Sequence, residues 1–214
     1  MTGIARSALA EAISTFLFVF SIIGAVNSKS ALTPLAIGLA LTVLVYAAGH
    51  ISGAHLNPAV SLGALIRGAI GASAFVAYII AQFVGGALAA LVSFAVWPRA
   101  AESMKIDLGP AFLVEALVTL ALVWVVLNVA TSKDNANNSF YGLAIGGTVF
   151  VGAVAVGGIS GGGFNPAVGL GLAISGQFGW SNLWLYIVAP LVGAAIAAVL
   201  FRVLNSDDLK KADA

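Results

Sequence analysis

The sequence predicts an all-α membrane protein of six transmembrane helices and two half-helices arranged as an inverted repeat. Three observations lead there. Apolar residue types make up 61% of the 214 residues and charged types only 8%, against about a quarter charged in soluble domains, and the mean hydropathy is +1.08. Six apolar stretches reach the roughly 20 residues a helix needs to cross a bilayer. Two further stretches are too short to cross, and both begin at Asn-Pro. So apolar a chain cannot cover its surface with polar side chains, which excludes most soluble enzymes and all disordered proteins. The net charge of +1 offers no Lys/Arg cluster for phosphate, so nucleic acid is not an expected partner. Cysteine is absent, hence no disulfide frame, thiolate metal site or Cys nucleophile.

The elements follow in order. The first span, about 7–27, comes after Arg6 and carries Glu11. It is too long for a signal-peptide core and lacks a small-residue cleavage site. The second span, about 33–51, begins beyond Lys29 and runs into a Gly-containing loop. The first half-helix, about 58–67, starts at Asn57-Pro58 and ends at Arg67. Proline suits a first turn because its missing N–H would be unpaired there. The third span, about 74–97, stops at Trp97. Arg99, Glu102, Lys105 and Asp107 separate it from the fourth span, about 110–130, which carries Glu115. Lys133 and Asp134 precede the fifth span, about 139–158. The second half-helix, about 166–175, starts at Asn165-Pro166. The sixth span, about 183–204, reaches Arg202 and is followed by Asp207, Asp208, Lys210, Lys211 and Asp213.

Trp97, Trp180 and Trp184 fall near the expected interfaces and read as lipid-facing anchors. Arg6, Arg67, Lys133, Arg202, Lys210 and Lys211 gather on one side, against Lys29, Arg99 and Lys105 on the other. The richer side is expected to be cytoplasmic, so both termini face in. The Asn137 sequon then lies in an inside loop and reads as chance. Short loops and tails suggest a bacterial inner membrane.

The chain repeats itself. Residues 51–60, Ile-Ser-Gly-Ala-His-Leu-Asn-Pro-Ala-Val, match residues 159–168, Ile-Ser-Gly-Gly-Gly-Phe-Asn-Pro-Ala-Val, at seven of ten positions and an offset of 108. Glu11-Ala12 and Glu115-Ala116 recur at an offset of 104. A single domain over 1–214, with repeats at about 6–97 and 108–204, accounts for this. Three spans per half is an odd number, so the second half runs inverted, a signature of transport proteins built from broken helices.

Two Asn-Pro-Ala motifs in matching decapeptides, each half opening on a glutamate-bearing helix, resemble the aquaporin (major intrinsic protein) family over about 6–204. The resemblance implies a right-handed six-helix bundle, a pore in each subunit and a homotetramer in membrane lipid. It places Asn57-Pro58-Ala59 and Asn165-Pro166-Ala167 end to end at the midplane. There both half-helix dipoles point their positive ends at the centre and repel cations. The two carboxamides donate to a passing water. The loop carbonyls of Gly53, Ala54, His55, Gly161 and Gly163 line one wall, and the second and fifth spans supply an apolar wall opposite. Glu11 and Glu115 accept hydrogen bonds from the bent loop of their own half, a structural role; proton coupling is the alternative. His50 reads as a structural polar residue, while mouth lining and loop packing both stay open for His55.

The sequence departs from the family at one place. Most members carry an arginine after the second motif, in the outer aromatic/arginine filter; here it is Val168. Family spacing gives Ile37, Ala153, Gly162 and Val168 as the filter, a quartet without charge, ring or hydrogen-bonding side chain. It resembles, in its valine, some plant tonoplast intrinsic proteins. It does not resemble a typical glycerol facilitator, which carries an Asp where this chain has Gly169. The filter is expected to be wide and apolar, passing water with hydrogen peroxide, ammonia, urea or glycerol; a water-selective channel is the alternative. A secondary transporter and a non-conducting structural protein are more remote. No metal cluster, nucleotide motif or catalytic constellation is seen, so no cofactor and no enzymatic activity are expected and transport is expected to be passive.

Overall fold

The structure, a computed structural model, describes residues 3–209; Lys210, Lys211 and Asp213 of the charge count lie outside the described residues. It is all-helical among these residues. The helices are α1 (Gly3–Asn27), α2 (Thr33–Ser52), α3 (Pro58–Arg67), α4 (Ala72–Ser93), α5 (Leu108–Thr131), α6 (Tyr141–Ser160), α7 (Pro166–Ile174) and α8 (Leu183–Leu204). Of these, α1, α2, α4, α5, α6 and α8 are long and apolar enough to cross a membrane. Their outer faces carry large apolar side chains such as Val43, Ile80, Leu91, Val151, Val154 and Val203, each more than half exposed. Such a surface suits hydrocarbon and not water.

The third span ends earlier than expected, at Ser93 and not at 97. Residues 94–97 continue as turns, with the Phe94, Ala95 and Val96 amides donating three residues back and the Trp97 amide to the Ser93 carbonyl at 2.8 Å. Pro98 is the physical reason, because it disfavours helical backbone in the residue before it. The turn alters the expected role of Trp97. Its ring packs on Phe20 at 5.3 Å between centroids and fills the space over Gly24, so it is only partly exposed. Trp180 and Trp184 are about half exposed, as anchors would be.

In lipid there is no hydrophobic drive between helices, so close backbone approach does the packing. α1 packs on α4, α5 on α8 and α2 on α6. A methyl at Gly85 would strike the Ala12 carbonyl of α1, and one at Gly193 would strike the Ala116 carbonyl of α5. Gly38 and Gly146 meet in the same way where α2 crosses α6. The half-helices are exchanged between the two parts of the chain: α3 lies mainly against α8, and α7 mainly against α4. Arg67 and Arg202 strengthen the first exchange. Arg202 donates to the Ile66 carbonyl, and Arg67 sits 5.3 Å over the Phe201 ring. The start of α1, the ends of α2, α3 and α8 and the loop after α5 share one end of the bundle, called here the terminal end.

Candidate pore

Each half-helix is reached by a loop of unusual backbone. Gly53 (φ 87°) and Gly161 (φ 89°) end α2 and α6 in the left-handed region. Ala54 (φ 50°), Leu56 (φ 52°), Gly162 (φ 72°) and Phe164 (φ 50°) also have positive φ. For the non-glycine residues this costs on the order of 1–3 kcal/mol each and persists only where the surroundings impose it. A buried glutamate imposes it in each half. Glu11 Oε1 accepts from Ser52 Oγ (2.6 Å) and the His55 amide (2.9 Å), and Oε2 from the Leu56 amide (2.7 Å) and Gln82 Nε2 (2.8 Å). Glu115 Oε1 accepts from Ser160 Oγ (2.7 Å) and the Gly163 amide (2.8 Å), and Oε2 from the Phe164 amide (2.6 Å). Both carboxylates are fully buried, and hydrogen bonds of this kind are what makes a buried charge tolerable. Tyr78 donates to the Ser52 carbonyl at 2.8 Å, and Tyr186 to the Ser160 carbonyl.

The two asparagines join the halves. Asn57 Oδ1 caps α3 by accepting from the Ala59 amide (2.8 Å), while its Nδ2 donates to the Phe164 carbonyl (2.9 Å). Asn165 Oδ1 caps α7 by accepting from the Ala167 amide (2.9 Å), while its Nδ2 donates to the Leu56 carbonyl (2.8 Å). Pro58 and Pro166 occupy the first turns, and Ala59 and Ala167 are fully buried behind them. Each carboxamide keeps its second N–H for the lumen. The positive ends of both half-helix dipoles meet there.

A central cavity of about 20 Å³, room for about one water, lies beside the asparagines. Ala54, His55, Gly162 and Gly163 form part of its polar wall. Gly53 lines instead a wide vestibule of about 510 Å³ at the terminal end, and Gly161 lies against Phe178. The apolar wall is broader than the expected pair of spans. It draws Phe18 from α1 and Leu122 from α5 as well as Leu41 from α2 and Val149 from α6. Of the counted filter, Ile37 and Gly162 line the cavity. Ala153 is adjacent, its Cα 3.8 Å from where a Gly162 Cβ would stand. Val168 is 1% exposed, in the packed core at the start of α7. His50 is exposed on the vestibule wall, not in packed interior.

The family model described as "Major intrinsic protein" matches residues 2–201. The chain belongs to the major intrinsic protein family. This major intrinsic protein is 43% identical to a Lactiplantibacillus plantarum protein named "Glycerol uptake facilitator protein-like 6", over 95% of its own length and 100% of the relative's. It is 35% identical to a "Probable aquaporin TIP-type" of Medicago truncatula, over 93% and 86% of the two chains. In fold it is similar to the aquaglyceroporin from Plasmodium falciparum, with a TM-score of 0.81 at 24% identity, covering 96% of this chain and 98% of that one. The chain is an integral multi-pass membrane protein and a passive channel for water and small solutes, not an enzyme.

Several residues that build the pore were not singled out from the sequence. Ser52 and Ser160 stand inside the matching decapeptides, and Tyr78 and Tyr186 recur at the same offset of 108, so the repeat held a signal for all four. Ser61 and Gln82 have no such signal.

Proposed function

We propose that this channel passes water together with one or more small neutral solutes among hydrogen peroxide, ammonia, urea and glycerol. The observation that carries the reading is the apolar lining of the central cavity. Ile37 and Gly162 belong to it, Ala153 stands next to Gly162, and Val168, in the packed core, holds the family's arginine position, so none of these four side chains donates a hydrogen bond or carries charge. A neutral solute meets no cationic group to bind and little side-chain bulk to pass. Cations, protons included, are excluded by the paired half-helix ends and by desolvation. The name of the Lactiplantibacillus plantarum relative supports glycerol as one such solute. A water-selective channel is the second reading, favoured by the small volume of the central cavity.

The geometry supports a role for each residue. The carboxamides of Asn57 and Asn165 orient the solute, with Pro58, Ala59, Pro166 and Ala167 setting their half-helices. The carbonyls of Ala54, His55 and Gly163 replace lost hydration, those of Gly53 and Gly161 flank them, and Glu11 and Glu115 hold the loops. The whole chain acts as one channel domain of two inverted repeats and works as a homotetramer in membrane lipid. The terminal end faces the cytoplasm of a bacterial cell, across its inner membrane; Arg6, Arg67, Lys133 and Arg202 at that end support this.

Stopped-flow light scattering on proteoliposomes tests the solute range, comparing wild type with Val168→Arg. Shrinkage followed by reswelling in urea or glycerol, with reswelling lost in the arginine variant, is the expected result. Shrinkage without reswelling means a water channel and overturns the broad reading.

A further inference from the structure

Three polar residues of the first half have no polar counterpart in the second. His55, Ser61 and Gln82 correspond, at the offset of 108, to Gly163, Gly169 and Pro190. In the second half Tyr186 fills the space: a Cβ at Gly163 would come within 3.0 Å of its ring, and one at Gly169 within 2.7 Å of its Cβ. In the first half the three residues form a chain of hydrogen bonds that begins at Glu11. Gln82 Nε2 donates both its protons, to Glu11 Oε2 (2.8 Å) and to Ser61 Oγ (2.9 Å). Ser61 Oγ accepts from Gln82 and stands 3.0 Å from His55 Nδ1, where its own proton is free to be donated. An imidazole nitrogen that accepts carries no proton, so with Ser61 donating to Nδ1 the neutral ring holds its proton on Nε2.

That N–H is placed to meet a solute. His55 lines both the central cavity and the terminal vestibule, so it stands where the two join. It is partly exposed while the flanking Ala54 and Leu56 are buried. Its Nε2 lies over Gly53, 3.2 Å from where a Cβ would stand, so glycine leaves that edge of the ring free. The only other polar side chains on the central cavity are Asn57 and Asn165, whose carbonyl oxygens are spent on helix caps. Every side chain that can hydrogen-bond a passing solute is thus a donor.

We infer that His55 is a specificity-determining residue of this channel: its Nε2–H, fixed by the relay Glu11–Gln82–Ser61, is a hydrogen-bond donor at the terminal end of the pore that favours neutral solutes able to accept. The inference rests on the broad-solute reading above. It adds a polar selector, where the central cavity meets the terminal vestibule, to the apolar residues Ile37 and Gly162. A positive N–H end pointing into the lumen also disfavours cations at a place where no arginine is needed.

Two measurements test it. Nitrogen-15 NMR of histidine-labelled protein in liposomes reads the tautomer directly; there are two histidines, and His50→Gln leaves one. The expected result is an unprotonated Nδ1 and a protonated Nε2 on His55, becoming a mixture of tautomers in Ser61→Ala. A proton on Nδ1 in the wild type, or no change in Ser61→Ala, overturns the relay. The second measurement is the urea-to-water or glycerol-to-water permeability ratio. A glutamine amide reaches the place of Nε2, whereas an asparagine amide reaches only that of Nδ1. His55→Gln is expected to keep the ratio and His55→Asn to lower it about fivefold, the worth of one neutral hydrogen bond. An unchanged ratio in His55→Asn overturns the role in specificity even where the tautomer is as inferred. A wild type that passes water alone sinks the broad-solute reading and with it this role, while the NMR measurement still decides the relay, so the two failures are distinguishable.

Discussion

Glu11 and Glu115 are the residues on which the pore backbone depends. Each holds two amides of a loop whose non-glycine residues sit at positive φ, and each is fully buried. Glu115→Gln replaces one accepting oxygen by a donor that faces another donor, leaving a buried N–H unpaired. The expected loss is about 1–3 kcal/mol, read as a lower apparent melting temperature in detergent; an unchanged temperature contradicts the role. Glu11→Gln is expected to cost more than Glu115→Gln, because Glu11 also anchors Gln82. The sequence made the two glutamates stand out because they are acids inside apolar spans. It hid Ser61 and Gln82 for a physical reason. The first half was readable through its likeness to the second, and of these two residues Gln82 answers to Pro190 and Ser61 to Gly169, where Tyr186 fills the space by packing.

At the scale of helices, the most legible elements were those with a sharp chemical start. Asn-Pro marks the first turn of α3 and α7, and the structure begins both helices there. The end of α4 was less legible, because apolar residues continue past Ser93 and only Pro98 tells where the helix must stop. Packing partners were not legible at all, since lipid-facing and helix-facing positions are equally apolar and differ mainly in size. Gly193→Leu is therefore expected to abolish a monodisperse peak in size-exclusion chromatography, because the side chain would collide with the Ala116 carbonyl. Gly158→Leu, on a glycine with open space around it, is expected to leave the peak intact. Asn57→Ala removes the α3 cap, a loss of about 1 kcal/mol, and one of the two asparagine bonds that cross between the halves. Its expected signature is a lower melting temperature together with slower osmotic water flux.

For the whole molecule, the fold class was readable from hydropathy and the repeat, whereas the exchange of half-helices between the two parts of the chain was not. Planar-bilayer recordings are expected to show no proton or cation current, since both half-helix ends point their positive charge at one place; a current would mean that the dipoles do not suffice without the family's arginine. The exchange also means that residues 1–107 and 108–214, expressed separately, are expected to give no water flux in proteoliposomes, and to recover it only when expressed together. It sets a timetable for biosynthesis as well. α3 is synthesised more than a hundred residues before α8, its main neighbour. At ribosomal speeds that gap is on the order of ten seconds. Through that interval the capped end of α3, with Asn57 and the bent loop before it, has neither the Phe164 carbonyl nor the α8 surface to rest on. The packing of α3 and its loop is therefore completed only when α8 arrives. A defect in α8 would surface as a misplaced loop in the first third of the chain.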